Sequence, residues 1–148
     1  MRVKDTSGFS LIELVAALTV MAIVTAIALP GWNRILPGFH LESSARQIQS
    51  ELHSIRMRAA AENLNFQFVY AEGASDYTIQ REGKSWVTKP LSDGISISKG
   101  GTISFSPRGT ARANRVRLQS RDGSCEQVVV SATGRVRVCK VNGCGVDC

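Results

Sequence analysis

Seven arginines crowd the last third of this 148-residue chain: Arg108, Arg112, Arg115, Arg117, Arg121, Arg135 and Arg137. Lys99 and Lys140 are the only lysines among them. A guanidinium is a planar fork that grips phosphate or carboxylate through two parallel hydrogen bonds. Residues 99–148 carry nine Lys/Arg against three acids (Asp122, Glu126 and Asp147), net +6, whereas residues 1–98 carry nine of each sign. Such asymmetry points to a polyanion or an acidic surface as partner. Phe105 is the only aromatic residue after Trp86, so a stacking platform for bases is not evident. The expected mode is sequence-independent phosphate contact, compatible with duplex nucleic acid. The alternative is a solvated basic surface, or a patch that docks an acidic neighbour.

Other chemistry has little material. The two histidines, His40 and His53, stand 13 apart rather than at i, i+4, and read as surface or interface residues rather than metal ligands. No P-loop, dinucleotide-binding fingerprint, nucleophile elbow or H-E-x-x-H is present. The expectation is a protein that is not an enzyme and has no cofactor.

The arginines need a scaffold, and from Asn65 the apolar period becomes two. Residues 66–70, 77–80, 86–88, 95–98, 102–105, 115–118, 127–131 and 135–139 read as short strands. Ser92-Asp-Gly94, Lys99-Gly-Gly101, Pro107-Arg-Gly109 and Asp122-Gly123 mark turns between them. In the last hairpin Gly134 suits a positive φ. Val136 and Val138 then face the core, so Arg135 and Arg137 point outward together, about 7 Å apart along the strand. Outward Arg117 would join them in a ridge, with the segment from Arg108 to Arg115 on a turn beside it. Ahead of the strands, Leu41, Ala45, Ile48, Leu52, Ile55 and Ala59 recur at spacings of four and three. They form one apolar stripe on a helix from about His40 to Asn63, packed on a sheet. The class is α+β, with the helix covering one face of an antiparallel sheet.

The N-terminus has its own character. A short polar leader with Arg2 and Lys4 precedes 21 apolar-dominated residues, Phe9 to Leu29, interrupted by one carboxylate, Glu13. The run is too long for a secretory signal core and no clean cleavage site follows it. At 1.5 Å per residue it reaches roughly 31 Å, enough to cross a bilayer core with the basic leader inside. A carboxylate there costs about 2–3 kcal/mol and is usually functional. Pro30 invites a kink, Trp32 would anchor at the interface, and Pro37-Gly38 punctuates again. The expected organisation is a leader over 1–8, a transmembrane helix over 9–30, an amphipathic helix region over 31–63 and a β-rich domain over 64–148.

That orientation places Cys125, Cys139, Cys144 and Cys148 outside the membrane, where an even count reads as disulfides. Three pairings are possible, and the one favoured here joins Cys125 to Cys139 across adjacent strands and Cys144 to Cys148 in the tail. The short Cys144–Cys148 loop would then hold the tail beside Arg135 and Arg137. Zinc is the alternative, but the spacings lack a C-x-x-C pair.

Gly8-Phe9-Ser10-Leu11-Ile12-Glu13-Leu14 resembles the type IV pilin leader motif. The resemblance implies that a prepilin peptidase cuts between Gly8 and Phe9 and methylates the new N-terminus, leaving a mature chain of 140 residues. It also implies that Glu13 pairs with the terminal amine of a neighbouring subunit, since two charges buried in a filament need each other. Phe105-Ser-Pro-Arg-Gly-Thr110 and Ser131-Ala-Thr-Gly-Arg-Val-Arg-Val138 together are similar to the GspH/FimT family of pseudopilins and minor pilins. FimT-like members carry a Gly-Arg-x-Arg element associated with DNA binding during DNA uptake, and Gly134-Arg135-Val136-Arg137 matches it residue for residue. The resemblance thus implies an inner-membrane, single-pass subunit with a periplasmic C-terminal domain, extracellular once assembled with other pilin subunits. Its DNA contacts would be Gly134, Arg135 and Arg137, joined by Arg108, Arg112, Arg115, Arg117 and Lys140. GspH-like members serve the type II secretion pseudopilus instead and bind other pseudopilins.

Overall fold

The computed structural model describes residues 10–141 and 143–146, with side chains omitted over 28–37. The leader through Gly8, and Phe9 after it, lie outside the described residues, as do Asn142, Asp147 and Cys148. The chain divides into two compact units, Met1–Ile35 and Leu36–Cys148.

One helix, α1 (Leu11–Glu62), runs without interruption past Pro30 and Pro37. The expected restart near His40 is therefore absent; each proline deletes one backbone donor, and the turns on either side continue. Within the first unit, the Ser10 carbonyl accepts the first helical bonds, from the amides of Glu13 and Leu14. Glu13 lies in the first turn, where the positive end of the helix dipole favours a carboxylate. Leu11, Ile12, Leu18, Met21, Val24 and Ile27 are all exposed. The hydroxyls of Thr19 and Thr25 donate back to the carbonyls of Ala16 and Met21, the usual way a helix satisfies such groups in apolar surroundings. Among the described residues no helical segment is long and apolar enough to cross a membrane.

In the second unit the expected stripe is the core face of α1: Leu41, Ala45, Ile48, Leu52, Ile55 and Ala59 are all buried. The helix ends where Asn63 takes φ 56°, the left-handed cap position that Asn tolerates, and the Leu64 amide returns to the Ala59 carbonyl. Eight strands follow: β1 (Phe66–Tyr70), β2 (Asp76–Arg81), β3 (Lys84–Pro90), β4 (Ile95–Ile97), β5 (Gly101–Phe105), β6 (Asn114–Ser120), β7 (Cys125–Val130) and β8 (Val136–Val141). They form two four-stranded antiparallel sheets, ordered β3-β2-β1-β5 and β4-β6-β7-β8, rather than one. The chain changes sheet between β5 and β6, so the 106–113 connection belongs to neither ladder. Both sheets and the helix stripe share one core, with Phe66, Phe68, Ile103 and Phe105 from the first sheet and Val116, Leu118, Val128 and Val130 from the second. Among the described residues, every buried apolar side chain lies at or beyond Leu41, so the Leu36–Cys148 unit holds its core complete.

Candidate nucleic-acid interface

One local device shapes three loops of the strand region. Ser106–Thr110, Ser120–Ser124 and Ser131–Arg135 are three copies of one turn, Ser-x-x-Gly-x. In each, the first amide donates to the fifth carbonyl and the glycine amide to the first carbonyl, all at 2.9–3.0 Å. The glycines Gly109, Gly123 and Gly134 have φ of 73°, 85° and 76°, the left-handed position that closes a three-residue hairpin loop. The sequence reading missed this repeated spacing, although it is visible in the chain.

Two of the copies meet. The Ala111 amide donates to the Ala132 carbonyl at 3.1 Å. Arg56 of α1 reaches both turns: its Nε donates to the Gly109 carbonyl at 3.0 Å and its Nη2 to the Thr133 carbonyl at 3.2 Å. Gly134 is buried at this junction, and a Cβ there would stand 2.2 Å from the Gly109 oxygen and 2.8 Å from Arg56 Nε. The glycine therefore serves close approach as well as φ. Its neighbours fan outward: Arg108 and Arg112 from one loop, Arg135 and Arg137 from the other, are all exposed. Among the described residues none of these four holds an ion pair.

Register defines the rest of this face. Val129 of β7 stands opposite both Arg115 and Arg137, and Gln127 opposite both Arg117 and Cys139. Val136 is buried and Val138 packs against the core, so Arg137 points outward, as expected. Arg115 and Arg117 share that outward face, yet each is half-buried and already engaged within the chain; they border the exposed cluster rather than extend it. The Arg115 carbonyl accepts from the Tyr70 hydroxyl at 2.9 Å, whose pKa burial pushes up to about 12.

Lys140 is the residue misplaced by the sequence reading. Three positions beyond Arg137, it falls on the opposite sheet face by strand alternation. There it pairs with Glu42 at 3.3 Å and Glu126 at 3.9 Å. Glu126 is buried, and desolvation raises its carboxyl above the usual range against the lowering effect of Lys140. Hydrogen bonding from Arg46, then Lys140, lowers the Glu42 carboxyl.

The cysteine pairing also differs from expectation. Cys125 bonds Cys144, with Cα atoms 5.2 Å apart. Cys139 is disulfide-bonded too, to a partner outside the described residues. The favoured Cys125–Cys139 bridge fails on register, because Cys125 faces Val141 while Cys139 faces Gln127. That diagonal separates the two residues by about 7–8 Å, where a disulfide needs Cα atoms within about 7 Å and Cβ atoms roughly 4 Å apart. The actual bridge draws residues 143–146 over β7, where the Val146 carbonyl accepts from Gln127 Nε2. The tail thus covers the end of the face away from Arg135. Among the described residues no cluster of three His, Cys, Asp or Glu side chains is arranged to hold a metal ion.

Comparison with known proteins fits this architecture. Residues 3–29 match the prokaryotic N-terminal methylation motif, and residues 44–134 match the family model of type II transport protein GspH. The second match ends at Gly134, one residue before Arg135. No curated protein matches the chain. Among solved structures, the minor pseudopilin EpsH from the type 2 secretion system of Vibrio cholerae is 12% identical, with 68% of this chain and 97% of that one covered at a TM-score of 0.57. The type IV minor pilin FimU of Pseudomonas aeruginosa is 13% identical, with 70% and 94% covered at a TM-score of 0.54. At such identities the likeness is one of fold.

Proposed function

The chain belongs to the GspH family, as a minor pilin or pseudopilin of a type IV pilus or type II secretion system, and from that premise we propose that its exposed arginine cluster binds DNA without sequence preference. The observation that carries this reading is the convergence of Arg108, Arg112, Arg135 and Arg137 at two abutting turns, each exposed and none ion-paired among the described residues. Four unneutralised forks on one end of a sheet suit a phosphate backbone. The four contribute no aromatic ring, so the contact is electrostatic and takes duplex as readily as single strands. Capture of extracellular DNA for natural transformation is the role this implies. The subunit binds and assembles; it catalyses no reaction.

The N-terminal methylation motif supports prepilin processing and assembly with other pilin subunits. In this reading the peptidase cuts after Gly8, methylates Phe9, and leaves Glu13 to meet a neighbouring subunit's amine. The exposed apolar face of the first unit supports insertion in the inner membrane before assembly.

Fluorescence anisotropy of the chain with labelled duplex DNA, across a salt series, tests the proposal. Four phosphate contacts predict a log–log slope of about −3.6, falling to about −1.8 in Arg135→Ala/Arg137→Ala. Absence of binding at low salt would refute it. The resemblance in fold to EpsH would then favour a secretion pseudopilin whose basic face docks an acidic subunit.

A further inference from the structure

Arg56 lies on α1, one position from the core stripe, and is half-buried. Its Nε and Nη2 donate to main-chain carbonyls on two different loops, those of Gly109 and Thr133. One loop crosses from β5 of the first sheet to β6 of the second, and the other joins β7 to β8 within the second. No strand pairing couples β5 to β7 or β8, and neither turn lies within a ladder, so the ladders alone do not fix one turn against the other. Other hydrogen bonds cross between the sheets, but the two turns themselves are joined by the Ala111–Ala132 backbone bond and the Arg56 guanidinium. The space that guanidinium occupies is the space a side chain at position 134 would need.

We propose that Arg56 is the positioning residue of the arginine surface, its rigid fork locking the Ser106–Thr110 and Ser131–Arg135 turns together so that Arg108 and Arg112 engage the same phosphate chain as Arg135 and Arg137. This rests on the nucleic-acid reading above. In this role Arg56 acts through the turns: its Nε and Nη2 donors are directed at carbonyls. A fork is required because the two acceptors lie on separate turns and a planar group with donors fixed in one plane holds their relative position. A lysine keeps the charge and loses that geometry.

Hydrogen exchange and DNA binding on the full-length chain, in nanodiscs of zwitterionic lipid, test this with Arg56→Ala, Arg56→Lys and Arg58→Ala. Arg58 supplies the charge control, since it lies on the same helix and stacks over Trp86 at 5.0 Å. The amides of Gly109, Ala111 and Gly134 should exchange about tenfold faster in Arg56→Ala, both turns together, with Val128 and Val130 unchanged. Duplex affinity should fall about tenfold in Arg56→Ala, several-fold in Arg56→Lys, and less than twofold in Arg58→Ala. Exchange that is unchanged, or faster in one turn only, overturns the proposal. So does an Arg56→Lys variant matching wild type, because charge alone would then explain the effect. If wild type fails to bind DNA, the nucleic-acid reading falls, and with it Arg56's part in it; the exchange data then decide only whether Arg56 couples the turns.

Discussion

Gly134→Ala isolates the close approach from the backbone conformation. Gly134 and Gly123 occupy the same position of the same turn, with φ of 76° and 85°. A Cβ at 123 meets nothing within 4 Å, whereas at 134 it lies 2.2 Å from the Gly109 oxygen. Both substitutions force an L-residue into the left-handed region, at about 1–2 kcal/mol, offset by about 0.4–1 kcal/mol of lost chain freedom when unfolded. Gly123→Ala should therefore cost about 1 kcal/mol. At 134 the oxygen must also retreat more than an ångström to reach ordinary contact at 3.4–4 Å. Arg56 Nε, 2.8 Å from that Cβ, must move as well; the two displacements together break both Arg56 bonds, each worth about 1 kcal/mol net, so Gly134→Ala should cost about 3 kcal/mol. Urea unfolding of the Leu36–Cys148 unit, followed by circular dichroism, should separate the variants by about 1 M in midpoint. If the two midpoints agree to within about 0.25 M, or about 0.5 kcal/mol, the glycine serves φ alone and the reasoning about the junction is wrong.

Three further outcomes follow from the same geometry. Removing the Cys125–Cys144 bridge as Cys125→Ala/Cys144→Ala opens a loop of sequence separation 19. It should cost about 3 kcal/mol and expose the Gln127 side chain; an unchanged unfolding midpoint would contradict this. Glu126→Gln tests the buried carboxyl. A folded-state pKa raised above the usual 4.5 means the folded chain holds its proton more tightly, so stability falls as pH climbs from about 4.5 through the folded value. Glu42 reinforces that shift, while Lys140 and Arg46 oppose it. The glutamine variant should melt higher than wild type at pH 7 and equally below pH 4, and a wild-type advantage at pH 7 would reverse the sign. Lys140→Ala should leave the salt slope of DNA binding unchanged, because that ammonium faces Glu42 and Glu126. Arg137→Ala should reduce the slope by about 0.9, and equal losses in the two variants would refute the assignment of faces.

What the sequence made legible was whatever depends on neighbours in the chain. All eight strands fall where period-two alternation placed them, because facing sides are set by local geometry. The stripe from Leu41 to Ala59 is buried residue for residue, since a helix of that period has one apolar side. Arg135 and Arg137 point outward for the same reason. Partition of the strands into two sheets was not legible: β5 and β6 follow one another in the chain, yet hydrogen-bond to different neighbours. Lys140 fails as a DNA contact because it stands three positions beyond Arg137, and three positions on a strand reverse the face. Cys139 failed because adjacency of strands says nothing of register, and register decides which side chains lie opposite.

The arginine surface combines both kinds of information. Its chemistry is written locally, in a turn that the chain uses three times. Its geometry is not, because Arg56 is separated from its acceptors by 53 and 77 residues, and no periodicity links them. The copy at Ser120–Ser124 makes the difference plain. It has the same hydrogen bonds and the same left-handed glycine, with space around it. Its third residue is Asp122, where the Ser106 copy has Arg108, and the Asp122 carboxyl is held below its usual range by the Ser124 amide. A turn with Arg at or beside its glycine therefore becomes a phosphate-binding candidate only where a second such turn is brought against it. Gly-Arg-x-Arg marks one half of that surface; the half bearing Arg108 and Arg112, and the helix residue that joins the two, come from the fold.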